Sequence, residues 1–138
     1  APSALHLEHD LVTDSFSFGV VSHDGDLTID GLHIANTRAQ GNGLFGDGIA
    51  VIRDFRDADT AVSNTLVSDS ARAGIAVFGA PISLTNVNLR CAAFALAADP
   101  YLGSEPVVAD GGGNLCGCPE ADGACKAVTV GLMPPPPL

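Results

Sequence analysis

Three segments of the chain can be written under one another without a gap: Leu27-Thr-Ile29-Asp-Gly-Leu32-His-Ile34, Thr60-Ala-Val62-Ser-Asn-Thr65-Leu-Val67 and Ile82-Ser-Leu84-Thr-Asn-Val87-Asn-Leu89. A fainter copy, Leu5-His-Leu7-Glu-His-Asp10-Leu-Val12, precedes them. A short apolar run opened by glycine follows the first three copies in turn: Gly19-Val20-Val21, Gly48-Ile49-Ala50-Val51 and Gly74-Ile75-Ala76-Val77. Phe94-Ala95-Leu96 takes that place in the last. Leu5 to Leu27 is 22 residues and Thr60 to Ile82 is 22 again, whereas Leu27 to Thr60 is 33. The excess of the long repeat lies in two places, before Ile49 and after it, so its extra residues read as loops on a regular scaffold. A fixed period of this kind specifies a stacked architecture more tightly than any local propensity does.

Within each copy apolar residues alternate as in a strand, with one extra step between the second and third of them. That step is a corner. His9, Gly31, Asn64 and Asn86 occupy it, residue types that tolerate a left-handed backbone and bond turn amides through their side chains. Stacked Asn64 and Asn86 predict a short asparagine ladder. Strands so short cannot bury a face alone, but coils of about 22 residues stacked on one another pair every strand above and below. The expected fold is all-β, a parallel β-solenoid of about four coils over residues 1–97. Its interior files are Leu7, Ile29, Val62 and Leu84; Val12, Ile34, Val67 and Leu89; and Val20, Ile49, Ile75 and Phe94. Glu8, Asp30, Ser63 and Thr85 form an outward polar file.

The variants LTIDGLHI, TAVSNTLV and ISLTNVNL, each with its following apolar run, resemble the right-handed parallel β-helix repeat proteins of the pectate-lyase-like superfamily. The resemblance covers residues 4 to 97. Right-handedness is implied by it, and by the strong bias of parallel crossovers. Enzymes of that superfamily set acidic residues, often with calcium or a basic residue, on an outward face to act on uronic-acid polysaccharides.

Residues 98–138 break the pattern and are expected to form an irregular cap, with Val107-Val108 and Val128-Thr129-Val130 as short strands and Pro134 to Pro137 as an extended tail. Cys91, Cys116, Cys118 and Cys125 permit three pairings. Closing the one-residue loop between Cys116 and Cys118 is awkward, so each is expected to pair elsewhere, one with Cys125 and one with Cys91. Zinc is disfavoured, because Cys-x-Cys is not the usual CxxC knuckle and every histidine lies before residue 34. Disulfides imply a secreted, periplasmic or cell-surface setting.

The chain has 138 residues, a formal net charge of -10 and no tryptophan. Such a charge argues against nucleic acid or an anionic membrane surface as partner. No apolar run is long enough for a membrane span, and Ala1-Pro2-Ser3 does not begin a signal-like segment. Scarce lysine beside abundant Ala, Gly, Asp and Arg is the composition of a GC-rich bacterial source. Leu5 starts a coil with nothing to cap it, which predicts a fragment of a longer β-helix or self-association through that end.

Candidate chemistry is confined to the long coil: Asp47, and the segment holding Arg53, Asp54, Arg56, Asp57 and Asp59. An acidic cluster with adjacent arginine suits calcium and proton abstraction beside a sugar carboxylate. It also suits a solvated loop with ion pairs of little energetic consequence. The spacing is not that of a calcium loop. The glycosidase signatures of the superfamily have no match: no Asp-Asp occurs and Lys126 is the only lysine. His6 and His33 are expected to point outward, His9 to sit at a corner and His23 in a turn. The expectation is a non-catalytic secreted or surface module for structural display or for binding a polysaccharide or another protein, without a cofactor. The alternative is a calcium-assisted polysaccharide lyase or a fragment of one.

Overall fold

The computed structural model describes residues 4–135; Ala1, Pro2 and Ser3, and Pro136 and Pro137 of the proline run, lie outside them. The chain is a parallel β-solenoid of about four turns. The first turn is β1 (Ala4–Glu8), β2 (Leu11–Thr13) and β3 (Phe18–His23); the second is β4 (Asp26–Asp30), β5 (His33–Thr37) and β6 (Asp47–Ile52). In the third and fourth turns the three strands run together as β7 (Thr60–Phe78) and β8 (Pro81–Asp99).

The register is that of the sequence alignment. Leu7 stands on Ile29, Ile29 on Val62 and Val62 on Leu84, while Val12, Ile34, Val67 and Leu89 form the second column. Ile29, Ile34, Val62, Val67, Leu84 and Leu89 are all sealed from solvent. Each such side chain contributes about 1.5–3 kcal/mol of hydrophobic stabilisation. The corner is left-handed in every turn, with φ of 46° at His9, 78° at Gly31, 49° at Asn64 and 55° at Asn86. Asn86 Nδ2 donates to Asn64 Oδ1 at 2.8 Å, and Asn64 Nδ2 donates to Asp30 Oδ1 at 2.9 Å, so the ladder ends on a carboxylate.

The third column differs from expectation in its last member. Val20, Ile49 and Ile75 are followed by Leu96, and Phe94 stands on Ala73 instead. A register irregularity between Ser70 and Ala73 gives β7 one residue more than β8 at that point, and just beyond it Phe94 packs outside the interior.

The glycines that open the third strands serve a close approach. A Cβ at Gly48 would lie 2.3 Å from Val67 Cγ1 and 2.7 Å from the Gly74 carbonyl oxygen; one at Gly19 would lie 2.7 Å from Ile34 Cγ2. The third sheet thus turns inward against the second where no side chain fits.

The outer side of the third sheet is apolar. Ala50, Ile52, Ala73, Ala76, Phe78 and Ala97 form a buried cluster outside the coil, with Phe18, Tyr101 and Leu132 packed on it. Phe45, in the first loop of the long coil, is 6% exposed and lies 5.3 Å from the Phe18 ring.

The cap is more regular than expected. β9 (Val107–Asp110) pairs with the start of β8, β10 (Leu115–Gly117) with its middle, and Val128 bridges Ala97 near its end, so a partial fifth turn closes the solenoid. β11 (Gly123–Ala124) pairs antiparallel with β10. Cys91 is bonded to Cys118 and Cys116 to Cys125, and both Cys116 and Cys125 pack against the interior cluster. Both bridges are of the expected kind, and they place the chain in an oxidising environment. After Val128 the chain turns back along the solenoid. Asp99 accepts the amides of Val130 and Gly131 at 3.0 and 2.7 Å, and Arg72 donates to the Met133 carbonyl oxygen at 3.0 Å. Pro135 is buried, so the proline run begins packed on the fold.

Candidate functional site

The residues singled out in the long coil divide between two places. Asp47 opens β6 and is fully buried, not part of a solvated loop. Its Oδ1 accepts from Arg72 Nε at 2.8 Å and from the Ala73 amide at 3.1 Å, and its Oδ2 pairs with Arg72 Nη2. Arg72 in turn covers the Phe45 ring, its guanidinium carbon 5.2 Å from the centroid. This is a bidentate pair that locks the outer side of the third sheet. Asp47 therefore stands at the opposite end of β6 from the Arg53–Asp59 segment.

That segment leaves β6 at the corner between the third and first sheets. Asp24, in the turn of the coil below, organises it: its carboxylate accepts the amides of Asp54 at 2.7 Å, Phe55 at 3.0 Å and Arg56 at 3.3 Å. Burial alone would raise the Asp24 carboxyl; the three amides and the Arg56 charge outweigh it and hold the group below the ordinary aspartate range. Asp26 repeats the device by accepting the Asp59 amide at 2.8 Å. Asp57 is paired with Arg53.

Asp54 points back under the loop. Its Oδ2 lies 2.9 Å from His23 Nδ1, with the two side chains 6% and 12% exposed. Tyr101 packs nearby, and burial, followed by the Asp54 charge, raises its phenol above the ordinary value. His23 Nε2 is buried without a hydrogen-bond partner. The pair has the orientation of a general base and its orienting carboxylate, but the nitrogen that would act is sealed from solvent. Its present work is to pin the loop to the first turn.

The expected turn position of His23 is thus corrected: His23 closes β3 on the outer side of the third sheet, in register with Ile52. His6 and His33 are exposed and His9 sits at the corner, as expected.

Phe55 is what the loop presents. Its amide is held by Asp24, while its side chain is 86% exposed, with Arg56 exposed beside it. A large aromatic carried outward on a fixed backbone is a feature the charges of this segment hid in the sequence.

Among the described residues no three His, Cys, Asp or Glu side chains converge as a metal site. Asp24, Asp54 and Asp57 are each engaged by an amide, a ring nitrogen or a guanidinium, and among the described residues Asp59 belongs to no group of three acidic side chains that could hold a metal, so the residues present do not fit calcium. No helix among the described residues is long and apolar enough to cross a membrane. Neither a family model, nor a curated protein, nor a solved structure matches the chain.

Proposed function

We propose that the chain is a non-catalytic module of a secreted, periplasmic or cell-surface protein, built on the pectate-lyase-like β-helix plan, that binds a glycan or a protein surface through the Arg53–Asp59 loop. One observation carries this reading: Phe55 stands almost wholly in solvent on a backbone whose amides are fixed by Asp24. Aromatic and arginine side chains dominate binding hot spots, and a loop already ordered loses little entropy on engagement. Sugar rings stack on such an aromatic face, and the two disulfides accord with an extracellular setting.

The lyase alternative draws less support. It needs carboxylates free to hold calcium and a base with access to substrate, whereas Asp54 and Asp57 have internal partners and His23 Nε2 is buried.

Affinity electrophoresis in gels containing pectate, alginate or a neutral glucan tests the proposal. Retardation is expected in at least one gel and is lost in Phe55→Ala, with the urea midpoint unchanged. Migration unaffected by every polysaccharide would remove the glycan half and leave a protein partner. Incubation with pectate or alginate and calcium is expected to produce no unsaturated sugar ends. Absorbance that rises in the wild type and is abolished in Asp54→Ala would establish the lyase instead.

A further inference from the structure

Two of the three interior columns change character in the fifth turn. Asp110 stands on Leu84, where the pattern calls for an aliphatic residue. Val128 bridges Ala97, so Ala127 takes the level above Leu96. The space two large side chains would have filled is left as a cavity of about 150 Å³, partly open to solvent, between the fourth turn and the cap. Leu84, Leu96, Val108 and Cys125 supply its apolar wall. A cavity of this order, lined by aliphatic groups, holds a molecule about the size of benzene.

Its polar side is the Asp110 carboxylate and the Asn114 amide. Asp110 Oδ1 accepts from the Gly112 amide at 2.9 Å and from Asn114 Nδ2 at 2.6 Å, which fixes the group at the rim. Asn114 is fully engaged, donating also to the Leu84 carbonyl oxygen and accepting from the Val87 amide. Asp110 Oδ2 accepts no hydrogen bond from the described residues. An apolar hollow with one oriented, half-used carboxylate at its mouth, in a chain of net charge -10, selects for positive charge joined to a compact hydrocarbon.

We propose that this hollow binds a small organic cation, a primary ammonium on a compact apolar body, with the ammonium on Asp110 Oδ2 and the body against Leu84, Leu96 and Val108. The site shares no residue with the Phe55 loop and stands independently of what that loop binds. Its volume excludes a sugar ring with its hydroxyls, and its charge excludes carboxylates.

Benzylamine, benzyl alcohol and benzoate are suitable probes, titrated into the disulfide-intact protein while backbone amide resonances are followed by NMR. Benzylamine is expected to shift the resonances of Leu84, Leu96, Val108 and Ala127 saturably, with a dissociation constant on the order of 1 mM for so small a ligand. Asp110→Asn keeps the oxygen that accepts from Gly112 and Asn114, and is expected to weaken binding about tenfold, the effect of a single charge-assisted contact. Ala127→Leu fills the hollow from its exposed rim, leaves the urea midpoint in place and abolishes binding. The proposal is overturned by the absence of saturable shifts, by equal affinity for benzyl alcohol and benzylamine, or by binding that survives Ala127→Leu.

Discussion

The first and third sheets of the solenoid are made of the same chain, in the same turns, with the same parallel pairing, and their outer sides are opposites. On the first, Thr28, Asp30, Ser63 and Thr85 face water, and the side-chain bonds that link turn to turn are exposed or only part-buried. On the third, Ala50, Ile52, Ala76 and Phe78 are buried beneath Phe18, Tyr101, Leu132 and the strap from Val128 to Pro135. Stacking alone makes the coil, but only the covered sheet has apolar material on both sides, and that is where most of the stability beyond the interior columns should reside.

Phe78→Ala is the strongest way to break that contrast. It should cost about 3–5 kcal/mol, the range for deleting a fully buried ring, read from urea denaturation followed by circular dichroism; a loss below ~1 kcal/mol would mean the outer cluster is not cooperative with the coil. Next comes Asp47→Ala, which leaves Arg72 without its carboxylate on the same side of the molecule. About 3 kcal/mol is expected, the low end for breaking a buried pair, because Arg72 keeps some contact with solvent.

The first sheet should answer to charge and pH instead. The Asp30 carboxyl is held below its ordinary value of 3.8, chiefly by the Asn64 side-chain bond, with Ser63 and the nearby His9 and His6 adding to it against a smaller opposing effect of desolvation. A depressed folded value means the stabilisation is present above the unfolded pKa and disappears as pH falls through the folded one. The urea midpoints of wild type and Asp30→Asn should therefore differ slightly at pH 7 and coincide by about pH 2, whereas the deficit of Phe78→Ala persists at both. The smallest change belongs to Thr28→Ala on the open side of the same sheet, within about 0.5 kcal/mol of wild type.

The inner half of this architecture was legible because an interior column needs only size and apolarity at a fixed period, and Leu7, Ile29, Val62 and Leu84 supply both. The corner was legible for a similar reason: few residues accept a left-handed backbone, and His9, Gly31, Asn64 and Asn86 are among them. Phe94 was misplaced because the last apolar run has no opening glycine to mark its start, and it is Leu96, two residues on, that stands on Ile75. The covered third sheet did leave a mark, since Ile49-Ala50-Val51-Ile52 and Ile75-Ala76-Val77-Phe78 are continuous apolar runs, the pattern of a strand buried on both sides. Its cover comes from residues far along the chain, and nothing local names them. The loop was opaque for the opposite reason: its aspartates advertised a metal, while the carboxylate that organises it, Asp24, belongs to the preceding turn.

The strap has a consequence for how the molecule is made. During synthesis the first four turns are complete once Asp99 has emerged, yet the side of the coil bearing Ile52 and Phe78 is only partly covered, by Phe18 and then Tyr101, until Leu132 and Pro135 follow. For that interval the nascent chain carries an adhesive flank, so a chaperone that engages this protein should do so there and release it once Leu132 and Pro135 have packed.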